Sequence, residues 1–180
     1  FAASINTIIH AGATPVIVDI NQETLTIDPV KINEVISKKT KAIMPVHLFG
    51  HACEMDEIIN IAKENNLLIV EDCAEAIGTK YKDKRVGTFG NVSAFSFFGN
   101  KTITTGEGGM LLFKSEKDYQ KGKKMRDHGM SNTKRYWHDI VGYNYRMTNM
   151  QSAIGVAQME RLDDIVSSKR KIAEKYNKAL

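Results

Sequence analysis

The chain has 180 residues, and its 42% hydrophobic content can fill the core of one domain and part of a second. Its 25 Lys and Arg residues exceed its 21 Asp and Glu residues by a formal charge of +4, which suits phosphorylated ligands but is too small to indicate nucleic acid. No apolar run approaches the ~18 residues of a membrane span, and Cys53 and Cys73 lie outside CxxC spacing, so we expect a cytoplasmic protein with reduced thiols and neither a membrane partner nor a metal.

Short apolar runs alternate with stretches of helical periodicity along the chain, which predicts βα units around a largely parallel, buried sheet. The predicted strands cover residues 15–20, 42–49, 67–72, 92–97 and 109–113. Between the first two strands, Asp28 as N-cap and Pro29 at the first helical position predict a helix with Ile32, Val35 and Ile36 on one face.

Further helices follow from the same kind of signal. Apolar residues at helical spacing predict a helix over residues 55–65, and a charged stretch from residue 114 predicts a helix that gives way to a loop. Thr148 and Gln151 have the spacing of a capping box, so a long helix is expected to begin there. Its expected apolar stripe consists of Met150, Ala153, Ile154 and Ala157.

Polar residues stand at the carboxyl ends of the predicted strands, where open parallel sheets bind their ligands. Asp72, Ser96 and Lys101 follow two such strands, and His47 lies near the end of a third. Lys101 is bracketed by glycines, which leaves two interpretations: a solvated loop lysine, or a desolvated amine that adds to a carbonyl as a Schiff base. His47 and His138 are interpreted as structural histidines, with contact to a sugar as the alternative.

A carboxylate beside a Schiff-base lysine suggests pyridoxal phosphate, whose ring nitrogen stays protonated when an acid residue accepts its hydrogen bond. Asp72 suits that task when paired with a Schiff-base lysine, whereas taken alone it is more commonly an N-cap or an ion-pair partner. Ser96 could bind a phosphate or simply be a strand residue, and the basic stretch from Lys114 to Arg135 could bind a nucleotide diphosphate or simply be a solvated face. Rival motifs are absent from the sequence: a complete Walker A loop, GxGxxG, HExxH, GxSxG and metal-ligand histidine spacing.

Three segments carry a resemblance to a known family: VEDCAEAIGTKYKDKRVGTFGNVSAFSF, FGNKTITTGEGGM and GYNYRMTNMQSAIGVAQMERL. They resemble the pyridoxal-phosphate-dependent sugar aminotransferases of the DegT/DnrJ/EryC1/StrS family over essentially the whole chain. The resemblance implies an α/β fold like that of aspartate aminotransferase, which is pyridoxal-phosphate fold type I, with a mixed, mostly parallel sheet between helices.

The resemblance also implies a role for individual residues. Lys101 matches the lysine that forms the Schiff base, Asp72 the partner of the pyridine nitrogen and Ser96 a phosphate ligand. Asn144 matches an asparagine that reaches the phosphate of the neighbouring subunit's cofactor, which implies a homodimer with composite active sites. Phe1 matches an aromatic residue that stacks on the pyridine ring.

Two positions refine the expected reaction. Glu75 stands near the expected ring hydroxyl, where many members carry Gln. Lys101 stands where the relatives that remove a hydroxyl carry histidine, so amination is favoured. The second segment is most similar to members that make GDP-perosamine, which implies L-glutamate as amino donor and GDP-4-keto-6-deoxy-mannose as acceptor. The alternatives are a sugar dehydratase or another lyase of the same fold, or a non-catalytic regulator.

The chain begins at Phe1 and stops at Leu180 inside a helical pattern, so we expect a piece truncated at both ends. Residues 1–147 are expected to be the central part of the cofactor-binding large domain. Residues 148–180 are expected to form the helix that leads toward a small C-terminal domain. The family's Ser-Gly-Thr phosphate-binding turn is expected before Phe1.

Overall fold

A computed structural model describes residues 1–180, and the chain divides into two compact units, Phe1–Ser96 and Phe97–Leu180. None of the helices is both long enough and apolar enough to cross a membrane.

The first unit contains a parallel sheet of three strands in the order β1 (Ala42–Ile43), β2 (Leu68–Asp72) and β5 (Val92–Ser96). Ile43 of β1 pairs with Ile69 of β2, and both side chains are buried. The β2 and β5 strands confirm the predictions for residues 67–72 and 92–97. A short antiparallel hairpin, β3 (Lys80–Tyr81) with β4 (Lys84–Arg85), lies between them in sequence.

Three helices belong to this unit: α1 (Ala2–His10), α2 (Pro29–Val35) and α3 (Met55–Glu64). The α1 helix ends at His10, and Gly12, two residues later, has a φ of +76°, a left-handed conformation that a side chain would disfavour. The α2 helix begins as predicted, because an Asp28 side-chain oxygen accepts from the Val30 N–H and Pro29 stands in the first turn.

The main hydrophobic core of this unit lies between α3 and the sheet. Met55 and Ile58 of α3 are fully buried against Ile32 of α2 and the two strand isoleucines. Burying one side chain of this size contributes about 2 kcal/mol relative to leaving it exposed. The apolar side of α3 is therefore held against one face of the sheet. The helix predicted over residues 55–65 is thereby confirmed.

Two strand predictions are wrong, at least in part. Residues 15–20 form no strand beyond an isolated bridge between Ile20 and Ile27, and Val16 and Ile17 are exposed. The strand predicted over 42–49 is reduced to β1 and a bridge between Val46 and Asp72. Pro45 has no N–H for the ladder, which explains the interruption.

The second unit contains one strand, β6 (Gly109–Phe113), and three helices: α4 (Glu116–Arg126), α5 (Asn149–Met159) and α6 (Leu162–Ala179). The α5 helix begins with the predicted capping box, because Thr148 and Gln151 bond reciprocally through side chain and backbone. Its predicted apolar stripe, however, is exposed, whereas Gln151, Gly155 and Gln158 are partly buried. The prediction of the packed face was wrong because these three residues contact a loop that comes earlier in the chain.

Candidate active site

Asp72 is the last residue of β2, and its carboxylate is half-buried at the carboxyl end of the sheet. One oxygen, Oδ1, accepts from the Ala74 N–H at 3.1 Å, and the other, Oδ2, accepts from the Ser4 hydroxyl at 2.6 Å. The backbone of Asp72 is fixed as well, because its N–H donates to Pro45 and its carbonyl accepts from His47. The carboxylate is therefore held from both sides by the first unit.

Ser96 lies at the same edge of the sheet. It ends β5, two residues beyond Ala94, which stands opposite Asp72 in the parallel register. The structure thus brings two of the predicted site residues to neighbouring strand ends, as the rule for open parallel sheets leads one to expect.

Glu75 lies three residues after Asp72 and supports the turn formed by Leu48–Gly50. Its Oε2 accepts from the Phe49 N–H at 2.9 Å, and Phe49 has a left-handed φ of +54° that this contact helps to hold. The turn is also tied to the following segment, because Thr79 donates from its hydroxyl to the Gly50 carbonyl at 2.8 Å. The assigned contact of Glu75 with a cofactor ring stays a prediction.

Phe1 precedes α1, and its side chain is 81% exposed. Its carbonyl accepts from the Ser4 N–H at 3.2 Å, so the aromatic ring belongs to the same helical turn as the hydroxyl that contacts Asp72. Stacking of Phe1 on a cofactor ring stays a prediction.

Lys101 belongs to an ordered loop of the second unit and is partly buried. The loop is closed by backbone bonds, because Phe97 accepts from the Thr105 N–H and donates to the Gly108 carbonyl. Ile103 anchors its centre at 1% exposure. Lys101 itself donates its N–H to the Phe98 carbonyl, which places the lysine in a tight turn. The Schiff-base role of Lys101 stays a prediction.

The α5 helix holds this loop through two glutamines. Gln158 accepts from the Thr104 N–H at 2.8 Å, and Gln151 donates to the Glu107 carbonyl at 3.3 Å. Gly155 lies between them, and a Cβ on it would stand 3.0 Å from the Thr105 methyl group. This contact face was not predicted, although the i, i+4, i+7 spacing of the three residues is a helical signal.

Asn144 is exposed and forms an isolated antiparallel bridge with Asp127 at the end of α4. The segment around it is fixed by its neighbours: Tyr143 and Tyr145 stack at 4.9 Å between ring centroids, and Tyr143 donates its N–H to Met125. The predicted contact with a neighbouring subunit's cofactor stays a prediction.

A buried polar cluster lies behind Asp72 and was also missed. Glu71, fully buried, accepts from the His47 Nε2 at 3.2 Å and from the backbone N–H groups of Gly87, Phe89 and Gly90 at 2.6, 2.8 and 2.6 Å. Burial by itself raises the pKa of Glu71, but these four hydrogen bonds outweigh it and lower the pKa below its usual value. His47 is confirmed as a structural histidine. Strand alternation could have indicated the cluster, because it places the side chains of Glu71 and Asp72 on opposite faces of β2.

Ligand-type atoms of His47, Glu71 and Cys73 lie within 4.8 Å of one another. Both His47 nitrogens are engaged in hydrogen bonds, because Nδ1 accepts from the Cys53 N–H at 3.1 Å. Cys53 and Cys73 are free, as predicted, and both are buried. Burial raises the pKa of both thiols, that of Cys53 to about 12. Protonated thiols are poor nucleophiles, and within the cluster His47 and Glu71 are joined by a hydrogen bond.

The model of the DegT/DnrJ/EryC1/StrS aminotransferase family matches residues 1–180. The chain belongs to this family. Among its relatives it is 53% identical to the GDP-perosamine synthase of Escherichia coli O157:H7 over 178 residues and 51% identical to that of Vibrio cholerae over 180 residues. These matches cover 99% and 100% of this chain but 49% of each relative, so the chain spans about half their length.

Solved structures of the family agree in fold. The chain superposes on the PLP-form of the putative sugar aminotransferase Spr1654 from Streptococcus pneumoniae with a TM-score of 0.90 and 30% identity, over 99% of this chain and 51% of that one. The expected α/β fold of the pyridoxal-phosphate aminotransferases is thereby confirmed. Within the DegT/DnrJ/EryC1/StrS fold, Asp72 and Ser96 stand at the ends of parallel strands, and Lys101 stands in a closed loop.

Proposed function

We propose that the complete protein is a pyridoxal-phosphate-dependent aminotransferase that acts on a nucleotide-linked 4-keto-6-deoxy sugar with L-glutamate as amino donor. The specific reaction proposed is the conversion of GDP-4-keto-6-deoxy-mannose to GDP-perosamine. The observation that carries the proposal is the similarity to two GDP-perosamine synthases along the whole of this chain. We further propose that the protein works in the cytoplasm, where nucleotide-linked sugars are made.

The arrangement around Asp72 fits the proposed cofactor. Pyridoxal phosphate, when bound, supplies an aldehyde that combines with amines and a protonated ring that accepts electrons. The Asp72 carboxylate accepts one hydrogen bond at each oxygen, from Ser4 and Ala74, and lone pairs remain for a further N–H donor. A carboxylate held in this way is suited to a cationic ring N–H, and the Ser96 hydroxyl on the next strand is suited to a phosphate.

Lys101 is assigned the chemical steps. Its Nζ would hold the cofactor covalently in the resting enzyme, and as a free amine it would take the proton from the α-carbon of the amino donor. In the second half of the reaction it would deliver a proton to the former ketone carbon of the sugar. Two glycines after Lys101 give the loop backbone conformations that other residues disfavour: Gly106 and Gly108 have φ of +80° and +150°.

The remaining assignments concern partners. Asn144 is proposed to reach the cofactor phosphate of a second subunit, which makes the active enzyme a homodimer with composite sites. Phe1 is proposed to stack on the ring, and Glu75 to lie near its hydroxyl. Cations of the stretch from Lys114 to Arg135 are proposed to meet the nucleotide diphosphate, since that stretch is largely exposed.

The test uses the full-length gene product. It is incubated with L-glutamate and a panel of nucleotide-linked keto sugars, and products are identified by mass; an aminated GDP sugar is expected. Borohydride treatment of the cofactor-loaded protein should fix a mass adduct on Lys101. An adduct at another residue, or none, would contradict both the aminotransferase and the lyase interpretations. A dehydrated sugar, or no turnover by a protein that binds cofactor, would favour the dehydratase or the regulator.

Lys101→Ala provides the matched variant. We expect it to abolish transamination while the circular dichroism spectrum and the unfolding temperature stay close to those of the wild type. Lys171→Ala, which removes an exposed lysine from α6 of the same unit, is the control for loss of a positive charge. Substantial transamination by Lys101→Ala would overturn the role assigned to this amine.

A further inference from the structure

Ser4 makes a contact that none of the family motifs singled out. It lies in α1, 68 positions before Asp72 in sequence, yet its Oγ is 2.6 Å from the Asp72 Oδ2. The residue is 8% exposed, so little water competes for the hydroxyl. Its backbone is fixed on both sides, because Ser4 donates its N–H to Phe1 and its carbonyl accepts from the Thr7 hydroxyl at 2.9 Å.

The direction of this hydrogen bond follows from the chemistry of the two groups. An ionised carboxylate only accepts, so the Ser4 hydroxyl must donate its proton to Oδ2. Hydrogen bonds from a hydroxyl to a carboxylate are short and about twice as strong as neutral ones, in agreement with the observed separation. Ser4 and the Ala74 N–H thus contact one oxygen each and fix the rotation of the carboxylate group.

A serine inside a helix more commonly bonds to a carbonyl of its own helix, which stabilises nothing outside it. In α1 that kind of local bond is made by Thr7, whereas Ser4 points across to β2. The contact therefore joins the first helix to the one carboxylate that ends the central strand of this sheet.

We propose that Ser4 is a positioning residue for the reaction. Its hydroxyl holds the Asp72 carboxylate as an oriented anion, so that the remaining lone pairs face the ring N–H of the bound cofactor. The inference rests on the proposed function, because it assigns Asp72 to that ring nitrogen. It predicts that removing one hydroxyl from α1 changes the electronic state of the cofactor, which a purely structural serine would not do.

The test compares Ser4→Ala, Ser4→Thr and Ser4→Cys in the full-length protein. Ser37→Ala is the matched control, because it also removes a serine hydroxyl from the first unit. The Ser37 hydroxyl is exposed and bonds only to the Lys39 N–H. Each purified apoprotein is loaded with pyridoxal phosphate labelled with ¹⁵N in the ring, and the ring nitrogen signal is followed by NMR as the pH rises. The rate of the half-reaction with L-glutamate is measured on the same samples by stopped-flow absorbance.

In the wild type, Ser4→Thr and the control, the ring nitrogen is expected to stay protonated over the same pH range. In Ser4→Ala it should lose its proton at lower pH, and the half-reaction should slow roughly tenfold or more, as for the loss of one hydrogen bond to a charged group. The glutamate concentration at half-maximal rate should change little. Ser4→Cys, a weaker donor of similar size, should lie between the two.

Ser4→Ala with wild-type ring titration and wild-type rate would overturn the proposal, as would a Ser4→Thr variant that fails to recover both. If Ser4→Ala does not fold, Ser4→Cys against Ser4→Thr decides by the same two measurements. Failure of the wild type to bind pyridoxal phosphate would instead reject the proposed function and this inference together. A wild type that binds pyridoxal phosphate and transaminates, with Ser4 variants that match it in ring titration and half-reaction rate, would reject the inference alone.

Discussion

The His47 ring donates from Nε2 to the Glu71 Oε2 at 3.2 Å, and neither side chain is exposed to solvent. Nδ1 accepts from the Cys53 N–H, so this nitrogen cannot carry a hydrogen of its own without two hydrogens facing each other. The ring therefore carries its hydrogen on Nε2. The negative charge of Glu71 is therefore offset by hydrogen bonds rather than by a full positive charge. Glu71 belongs to β2 and joins it to two other chain segments: the segment that contains His47, and residues 87–90.

Glu71→Gln should destabilise the protein. The amide replaces one acceptor oxygen by an NH2 group, which would face backbone N–H donors at Gly87 or Gly90. Leaving buried donors unsatisfied costs about 1–3 kcal/mol each, so we expect the free energy of unfolding to fall by about 2–4 kcal/mol. Urea denaturation followed by circular dichroism measures it. Glu57→Gln on the exposed side of α3 is the control, and equal stabilities of the two variants would contradict the assignment.

The same cluster predicts a dependence of stability on pH. The pKa of Glu71 is lower in the folded chain than its usual 4.5. The unfolded state therefore binds a proton more readily than the folded state, and the ionised Glu71 carboxylate contributes its full stabilisation above pH 4.5. It should disappear as the pH falls through the folded pKa. Urea titrations of the wild type and Glu71→Gln between pH 7 and pH 3 should show a stability difference that narrows only below about pH 4.5. A difference that stays constant to pH 3 would exclude Glu71 as its source.

Local signals predicted much of this fold, and long-range contacts account for what was missed. The starts of α2 and α5 depend on Asp28, Pro29 and the Thr148 capping box, which act within a few residues. A strand needs a partner, and residues 15–20 have none beyond one bridge despite their apolar sequence. A pattern of hydrophobicity cannot supply that partner, and in this segment it did not predict burial either, because Val16 and Ile17 are exposed.

The candidate site was predictable to a similar extent. The edge of the sheet occupied by Asp72 and Ser96 follows from the parallel order of the strands. Ser4 could not be predicted in the same way, because its contact spans 68 positions and a serine in a helix carries no marker of its partner. The glutamines of α5 were overlooked because an apolar stripe was expected to form the packed face.

The two thiols should resist modification in the native protein. Burial raises the pKa of Cys53 to about 12 and also raises that of Cys73, so almost no thiolate exists at neutral pH. A disulfide reagent such as dithionitrobenzoate should react slowly with the native protein at pH 8 and rapidly in denaturant. Cys53→Ala and Cys73→Ala variants assign the rates to each thiol. Fast reaction of either thiol before unfolding would contradict the burial described for it.

The last prediction concerns the loop that carries Lys101. Gln158→Ala removes the acceptor of the Thr104 N–H and leaves that group without its bond to α5. We expect amide hydrogens of residues 101–108 to exchange faster, by roughly tenfold for a loss of about 1–2 kcal/mol in local stability. Hydrogen exchange with mass spectrometry on the full-length protein measures this.

The matched control for that variant is Gln120→Ala. Gln120 bonds only to the Glu116 side chain on the exposed face of α4, so its loss should leave exchange in residues 101–108 unchanged. If the proposed function holds, Gln158→Ala should also slow transamination, because the lysine amine then samples more positions than the productive one. Unchanged exchange in Gln158→Ala would mean that the backbone bonds of Phe97 and the burial of Ile103 hold the loop without help from α5.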